Sequence, residues 1–403
     1  MAVSDAALTY FSQAEKAIEK GDLAAAKEKI TAGLALEPDH SNAMTNMGNI
    51  SMLESDFKSA AAWYEKSLKI DPKNAVAMNG RAICYLKAGE VPKAVEWWLK
   101  ATETDPTNPT PIVNLGDAAK LLGDYTSAKA YYKTALGVDK ELDGAMLGLA
   151  EIAAEEGDGD TAIAYATTVG KKNPKSWPAR AALGKGYAAK RDWYKAIDAL
   201  YPASQAMPKN VGVRYALGVA LMNTRQWGAA IESFLAALEV EEGNGDPKLH
   251  LQLGVCYYMM GTPDTLPLAN VEFEHTLARN PAPADKAVAT YHLALMLDDA
   301  GRQDDAIKGY RKVLAIDPGH VAANNNLGLL AMKREKFAEA IPFFQRALTS
   351  QPDFAASQLN LGYCLIRTGK KVEGDAQLQK LVTRLPDGDP LKDEAKAVLA
   401  GKR

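Results

Sequence analysis

Prolines closing short polar turns recur along this chain at a near-constant spacing, and that spacing constrains the fold more than any other feature. They stand at Pro38, Pro72, Pro106, Pro174, Pro208, Pro281, Pro318, Pro352 and Pro386. From Pro38 to Pro72 to Pro106 the interval is 34 residues, and it doubles where one proline is missing. A fixed period of this length means a stacked supersecondary unit rather than one closed core. A chain of 403 residues is also long for a single hydrophobic core. The prolines set repeat starts at 7, 41, 75, 109, 143, 177, 211, 247, 287, 321 and 355.

Residues that did not define this frame obey it. The eighth of each repeat is small: Ala14, Gly48, Ala82, Gly116, Ala150, Gly184, Gly218, Gly254, Ala294, Gly328 and Gly362. Twelve residues on stands another small residue, Ala26 through Gly374. Four beyond it a bulky one usually follows, as in Tyr64, Trp98, Tyr132, Phe234, Phe273, Tyr310 and Phe344. Small residues at fixed places let two helices approach, and the large one fills the space between neighbouring pairs. Turns such as KAGE and LLGDY put glycine where the first helix stops. Each repeat therefore reads as helix, turn, helix.

This pattern resembles the tetratricopeptide repeat family over residues 7–388. The fold expected is all-α: a right-handed α-solenoid of about eleven helix-turn-helix repeats. Its expected divisions are repeats 1–7 at 7–246, an irregular repeat 8 at 247–286, repeats 9–11 at 287–388, and a C-terminal capping helix at 389–403. In that helix Asp389 is the expected N-cap and Pro390 the first helical residue. Repeat 8 is irregular because GTPDTLPLAN adds three residues between its helices, and three more fall in NPAPADKA; both are expected as surface loops. The fourth and seventh repeats close with Lys140 and Glu242 in place of proline, and the fifth has Ala166 where an aromatic is expected.

Chemistry-bearing patterns are few. Cys84, Cys256 and Cys364 form no CxxC, and each is the tenth residue of its repeat, a buried packing place. The five histidines form no HxxxH or HExxH, so no metal site is expected, and no phosphate loop or nucleophile elbow occurs. No cofactor and no enzymatic activity are expected. A net charge of −3 leaves no basic footprint for nucleic acid, and no apolar run is long enough to enter a membrane as a span. The expected location is the cytoplasm, with a mature periplasmic form as the other open case.

The resemblance implies a protein partner, held as an extended peptide or amphipathic helix in a concave groove lined by first helices. Groove places in this family are the second, fifth, ninth, twelfth and thirteenth of each repeat. In repeats 7–11 the ninth places run Val219, Val255, Leu295, Leu329 and Tyr363. Tyr215, Met222, Leu251, Tyr258, Met259, Tyr291, Asn325, Met332, Leu359 and Ile366 complete the expected strip. Asp298, Asp299, Lys333 and Arg367 frame it. Long superhelices of the family hold peptide backbone through a ladder of asparagines just before the Leu-Gly pair. Here that place carries Asn46, Asn114, Asn326 and Asn360, with Gln252 and His292 in two other repeats. In the run NNNLG, Asn324 takes a place usually given to a bulky residue and is expected to loosen packing. Two other functions remain open on the sequence: a structural subunit of a larger assembly, homo-oligomeric through its convex face, or the regulatory subunit of a separate enzyme.

Overall fold

The computed structural model describes residues 4–240 and 245–402; Glu242 and part of the GNGD stretch lie outside the described residues. Among the described residues there are 23 helices and no strand. Helices α1 to α22 form eleven antiparallel pairs, from α1 (Asp5–Glu19) and α2 (Leu23–Leu36) to α21 (Ala355–Arg367) and α22 (Lys371–Arg384). Helix α23 (Pro390–Leu399) closes the series, with Asp389 accepting from the Leu391 amide as its N-cap. First helices begin where the proline frame puts them in most repeats: α3 at Ser41, α5 at Ala75, α9 at Asp143, α11 at Trp177, α13 at Val211, α15 at Pro247 and α19 at Val321.

Local chemistry explains the boundaries. Several second helices start behind an aspartate whose carboxylate accepts the amide three residues on, as Asp56 does from Ser59 at 3.0 Å and Asp124 from Ser127 at 3.0 Å. First helices start behind Asn74, Ser176, Asn210, His40 and His320, which cap the same way. Several first helices end on left-handed glycine, at φ 77° for both Gly89 and Gly123, while Ser55, Arg191, Arg225 and Glu335 take the same left-handed place in others.

The chain divides into two compact halves, residues 1–203 and 204–403, with the division inside α12 (Trp193–Ala206). Within the first half α3 (Ser41–Leu53) touches α5 (Ala75–Lys87), and α9 (Asp143–Glu155) touches both α7 (Thr110–Leu121) and α11 (Trp177–Ala189). Within the second half α13 (Val211–Asn223) touches α15 (Pro247–Met260), α15 touches α17 (Pro283–Asp299), and α19 (Val321–Lys333) touches α21. Second helices pack chiefly on the first helix of their own pair and of the next. In each half the first helices therefore line the shorter, inner side.

The core is a series of small clusters along the chain, several of them built around the predicted bulky residues. Trp98, Tyr64, Tyr132, Tyr310, Phe234, Phe273 and Phe344 are all fully buried. Close approach demands glycine around them: a Cβ on Gly48 would come within 2.6 Å of the Tyr64 ring, and one on Gly80 within 2.3 Å. The preceding aromatics Trp63, Trp97, Tyr131 and Phe343 are half-buried against neighbouring clusters, as inter-repeat packing. The three cysteines are buried and unbridged, and burial pushes their thiols up, to about 11 for Cys84 and about 12 for Cys256 and Cys364.

Repeat 8 departs from expectation. Its added residues do not form a surface loop: α15 gains one residue, the turn Gly261–Asp264 gains one, and the start of α16 (Thr265–Ala278) takes the third. The residues of NPAPADKA likewise add a helical turn to the front of α17, which begins at Pro283 and runs 17 residues. Proline in the first turn and Asp285 just after it favour that start.

Candidate partner-binding face

In the second half the inner face carries two kinds of residue. Val219 and Met222 on α13, Val255 and Tyr258 on α15, Leu295 on α17, Leu329 and Met332 on α19, and Ile366 on α21 are half-buried, each keeping part of its side chain in solvent. Met259 is 50% exposed. Tyr215 lies 5.9 Å from the Phe234 ring, and Tyr363 meets Phe337 edge-on at 5.8 Å.

Three expected groove residues are instead buried. Leu251 packs with Ala269, Phe273 and Ala289, and Leu359 with Leu378, Leu381, Ala395 and Val398. Asn325 is buried and its Oδ1 accepts from Ser357 Oγ at 3.0 Å. All three hold the fifth place, one helical turn before the ninth, and are covered by the neighbouring repeat, whereas Tyr215 and Tyr291 at the same place are only half-buried. Asn324 is no packing defect either. Fully buried, it donates to the carbonyls of Pro318 and His320 and accepts from Arg346 Nε.

The asparagine ladder divides in two. Asn326 Nδ2 donates to the hydroxyls of Tyr310 at 3.1 Å and Tyr291 at 3.3 Å, and Asn114 Nδ2 to Asn79 Oδ1 at 2.8 Å. Asn46 and Asn360 are half-exposed and make no side-chain hydrogen bond among the described residues. The ladder place faces the bulky ring of the preceding repeat. Gly80 and Gly148 stand there because a Cβ would come within 2.3 Å of Tyr64 and Tyr132 respectively. In the ninth repeat His292 fills the place and stacks on Phe273.

Polarity of the ninth place correlates with the buried ring behind it, a match absent from the sequence reading. Tyr64 donates to Asn49 and Tyr132 to Asp117, both ninth residues. Where the ninth residue is Val219, Val255 or Leu329, the ring is Phe234, Phe273 or Phe344, with no hydroxyl to satisfy. Tyr310, behind Leu295, is the exception, and Asn326 supplies its partner. The signal was present in the alternation of Tyr and Phe on the second helices.

The first half has a different inner face. Glu151 on α9 takes Lys120 of α7 at 2.6 Å and Lys185 of α11 at 2.9 Å. Burial raises its pKa, but the two lysines outweigh that and hold it down to about 2. These polar groove residues satisfy one another across three first helices. At the upper edge of the second half, Tyr258 donates to Asp299 at 3.0 Å, and Arg367 lies 4.4 Å over the Phe337 ring.

This geometry defines a helical-hairpin repeat protein whose first helices present one face. Two family models described as tetratricopeptide repeat match it, one over 51–115 and 120–185, the other over 11–75 and 325–390, together more than half the chain. The chain belongs to the tetratricopeptide repeat family, whose fold is that of protein–protein interaction scaffolds. Among solved structures, the APC/C hetero-tetramer Cut9-Hcn1 is similar with a TM-score of 0.55 and 12% identity, over 98% of this chain and 97% of that one. A tetratricopeptide repeat protein from Parabacteroides merdae is 19% identical over 63% of this chain and 99% of its own, at a TM-score of 0.48. No curated protein sequence matches the chain. Among the described residues no helix is long and apolar enough to cross a membrane.

Proposed function

We propose that the chain is a non-catalytic adaptor that holds an apolar or amphipathic segment of a partner protein on the inner face of its second half. The observation that carries this reading is the run Val219, Val255, Leu295 and Leu329: four successive ninth places, apolar yet partly open to solvent. Met222, Met259 and Met332 beside it supply adaptable contact area, and Tyr258 and Tyr363 supply rigid area with a polar tip. Asp299, Lys333 and Arg367, all exposed, set the orientation of the bound segment from the rim. Asn360 offers an uncommitted amide to its backbone. The first half, where Glu151 is already engaged by Lys120 and Lys185, serves as the scaffold.

Co-purification with the full chain followed by mass spectrometry names the partner, and synthetic segments of it are then titrated. Val219→Asp, Val255→Asp and Leu295→Asp together are expected to abolish binding, and Met259→Glu alone, at an exposed position, to weaken it with helical circular dichroism unchanged. Undiminished binding by both variants refutes the reading.

A further inference from the structure

Sequence spacing hides a second cluster of chemistry in the irregular repeat. His250 near the start of α15 and Glu272 and His275 on α16 bring one ligand atom each to within 4.8 Å of one another. Glu272 Oε2 lies 2.6 Å from His250 Nδ1 and 3.9 Å from His275 Nδ1. The two imidazoles meet edge to face at 5.2 Å. Glu272 and His275 are three residues apart on one helix, so both project from the same side. His250 comes from the facing helix, 22 residues earlier than Glu272, which is why no short motif announces the group.

We propose that His250, Glu272 and His275 bind one divalent transition-metal ion of the zinc class. Two imidazoles and a carboxylate are ligands of intermediate softness, suited to Zn²⁺ and its neighbours rather than to calcium or magnesium. Zinc holds nitrogen and oxygen at about 2.0–2.2 Å, which puts tetrahedral ligand atoms about 3.3 Å apart. The two distances to Glu272 Oε2 straddle that value, so a small swing of the carboxylate opens one and closes the other. A buried hydrogen-bonded pair accounts for His250 and Glu272 alone. It does not account for His275, which turns the same ring nitrogen toward the same oxygen while 46% of its side chain stays in solvent.

Exposure at His275 gives the ion a way in and leaves a coordination position for water. The two helices are already registered here, since Thr276 Oγ1 bonds the carbonyls of Glu272 and Pro247. An ion would staple the one hairpin whose turn is lengthened. This inference concerns the junction of α15 with α16 and stands apart from the partner-binding face.

The test is calorimetric titration of the untagged full chain with Zn²⁺ in a non-chelating buffer. One equivalent is expected to bind, and to raise the thermal midpoint. His275→Ala, at a solvent-facing position, and Glu272→Gln, which keeps a hydrogen bond to His250, are each expected to bind at least about tenfold more weakly. Loading with Co²⁺ is expected to give visible bands of a nitrogen and oxygen site without thiolate charge transfer in the near ultraviolet. No uptake by the wild-type chain, equal uptake by both variants, or a thiolate band assigning the ion to a cysteine would each overturn the proposal.

Discussion

The imidazole of His292 lies flat on the ring of Phe273, with centroids 5.1 Å apart and planes within 7°. Tyr258 and Tyr291 close on it edge-on at 5.2 and 5.6 Å, and its Nδ1 is buried with no hydrogen-bond partner. Burial, reinforced by His320 nearby, lowers its pKa from 6.5 to about 4. The ring is thus held neutral by a cage of aromatic rings from three successive helices, α15, α16 and α17.

That cage makes stability depend on acidity. Above pH 6.5 the ring is neutral in both folded and unfolded chains, and its contribution is fully present. Below it the unfolded chain takes up a proton that the folded one refuses, so stability is lost between pH 6.5 and about 4. The shift corresponds to at most about 3 kcal/mol. His292→Phe keeps an aromatic on Phe273 and removes the proton. Urea unfolding across this range is expected to show a shallower loss for the variant than for the wild type; parallel curves would contradict the cage.

Two tyrosine hydroxyls on second helices, those of Tyr64 and Tyr132, satisfy polar ninth residues. Tyr132→Phe strips Asp117 of its 2.6 Å donor and is expected to cost about 1–2 kcal/mol. The reverse change, Phe344→Tyr, made together with Asn360→Ala so that the facing amide of the next repeat cannot meet it, places an unpartnered hydroxyl behind Leu329 and should destabilise by a similar amount. Combining it with Leu329→Asn is expected to recover part of that loss. A double-mutant cycle by denaturant unfolding measures the coupling, and strict additivity would show that the two places do not interact.

Much of this was legible before any coordinates. Periodic prolines placed the first helices, and the eighth-place glycines marked where Tyr64 or Phe344 presses on a neighbouring helix, because period and residue size are written directly in the chain. Less legible was which groove residues stay open. The fifth and ninth places lie on one helical face, yet Leu251, Leu359 and Asn325 are covered by the adjoining repeat and Val255 and Leu329 are only half covered. That depends on how closely neighbouring pairs approach, which no single repeat encodes. The meeting of His250 with Glu272 was hidden for the same reason: it belongs to a pairing of helices and not to a spacing.

Gly80 offers a clean steric test. A methyl group there would fall 2.3 Å from the Tyr64 ring, which is itself held by a hydrogen bond to Asn49. Helix propensity alone would favour alanine by roughly 1 kcal/mol. Overpacking opposes it with about 1–3 kcal/mol. Gly80→Ala is therefore expected to lower the thermal midpoint despite the better helix former. Pairing it with Tyr64→Leu, which clears the space, should reverse the sign of the glycine substitution; a stabilised single variant would mean that the ring is free to shift.

Asn326 and Asn360 occupy the same place in consecutive repeats and make opposite predictions. Asn326 is committed, its amide divided between Tyr310 and Tyr291, so Asn326→Ala leaves two tyrosine hydroxyls without their donor. The expected outcome is a loss of about 1–2 kcal/mol in unfolding free energy. Asn360 has no such commitment and is half-exposed on α21 beside Tyr363. Asn360→Ala is expected to leave unfolding within about 0.5 kcal/mol of wild type and to weaken titration by the identified partner segment. If Asn326→Ala weakens binding at unchanged stability while Asn360→Ala does neither, the bound backbone runs along the ninth and tenth repeats instead, and Asn326 must release its tyrosines to meet it.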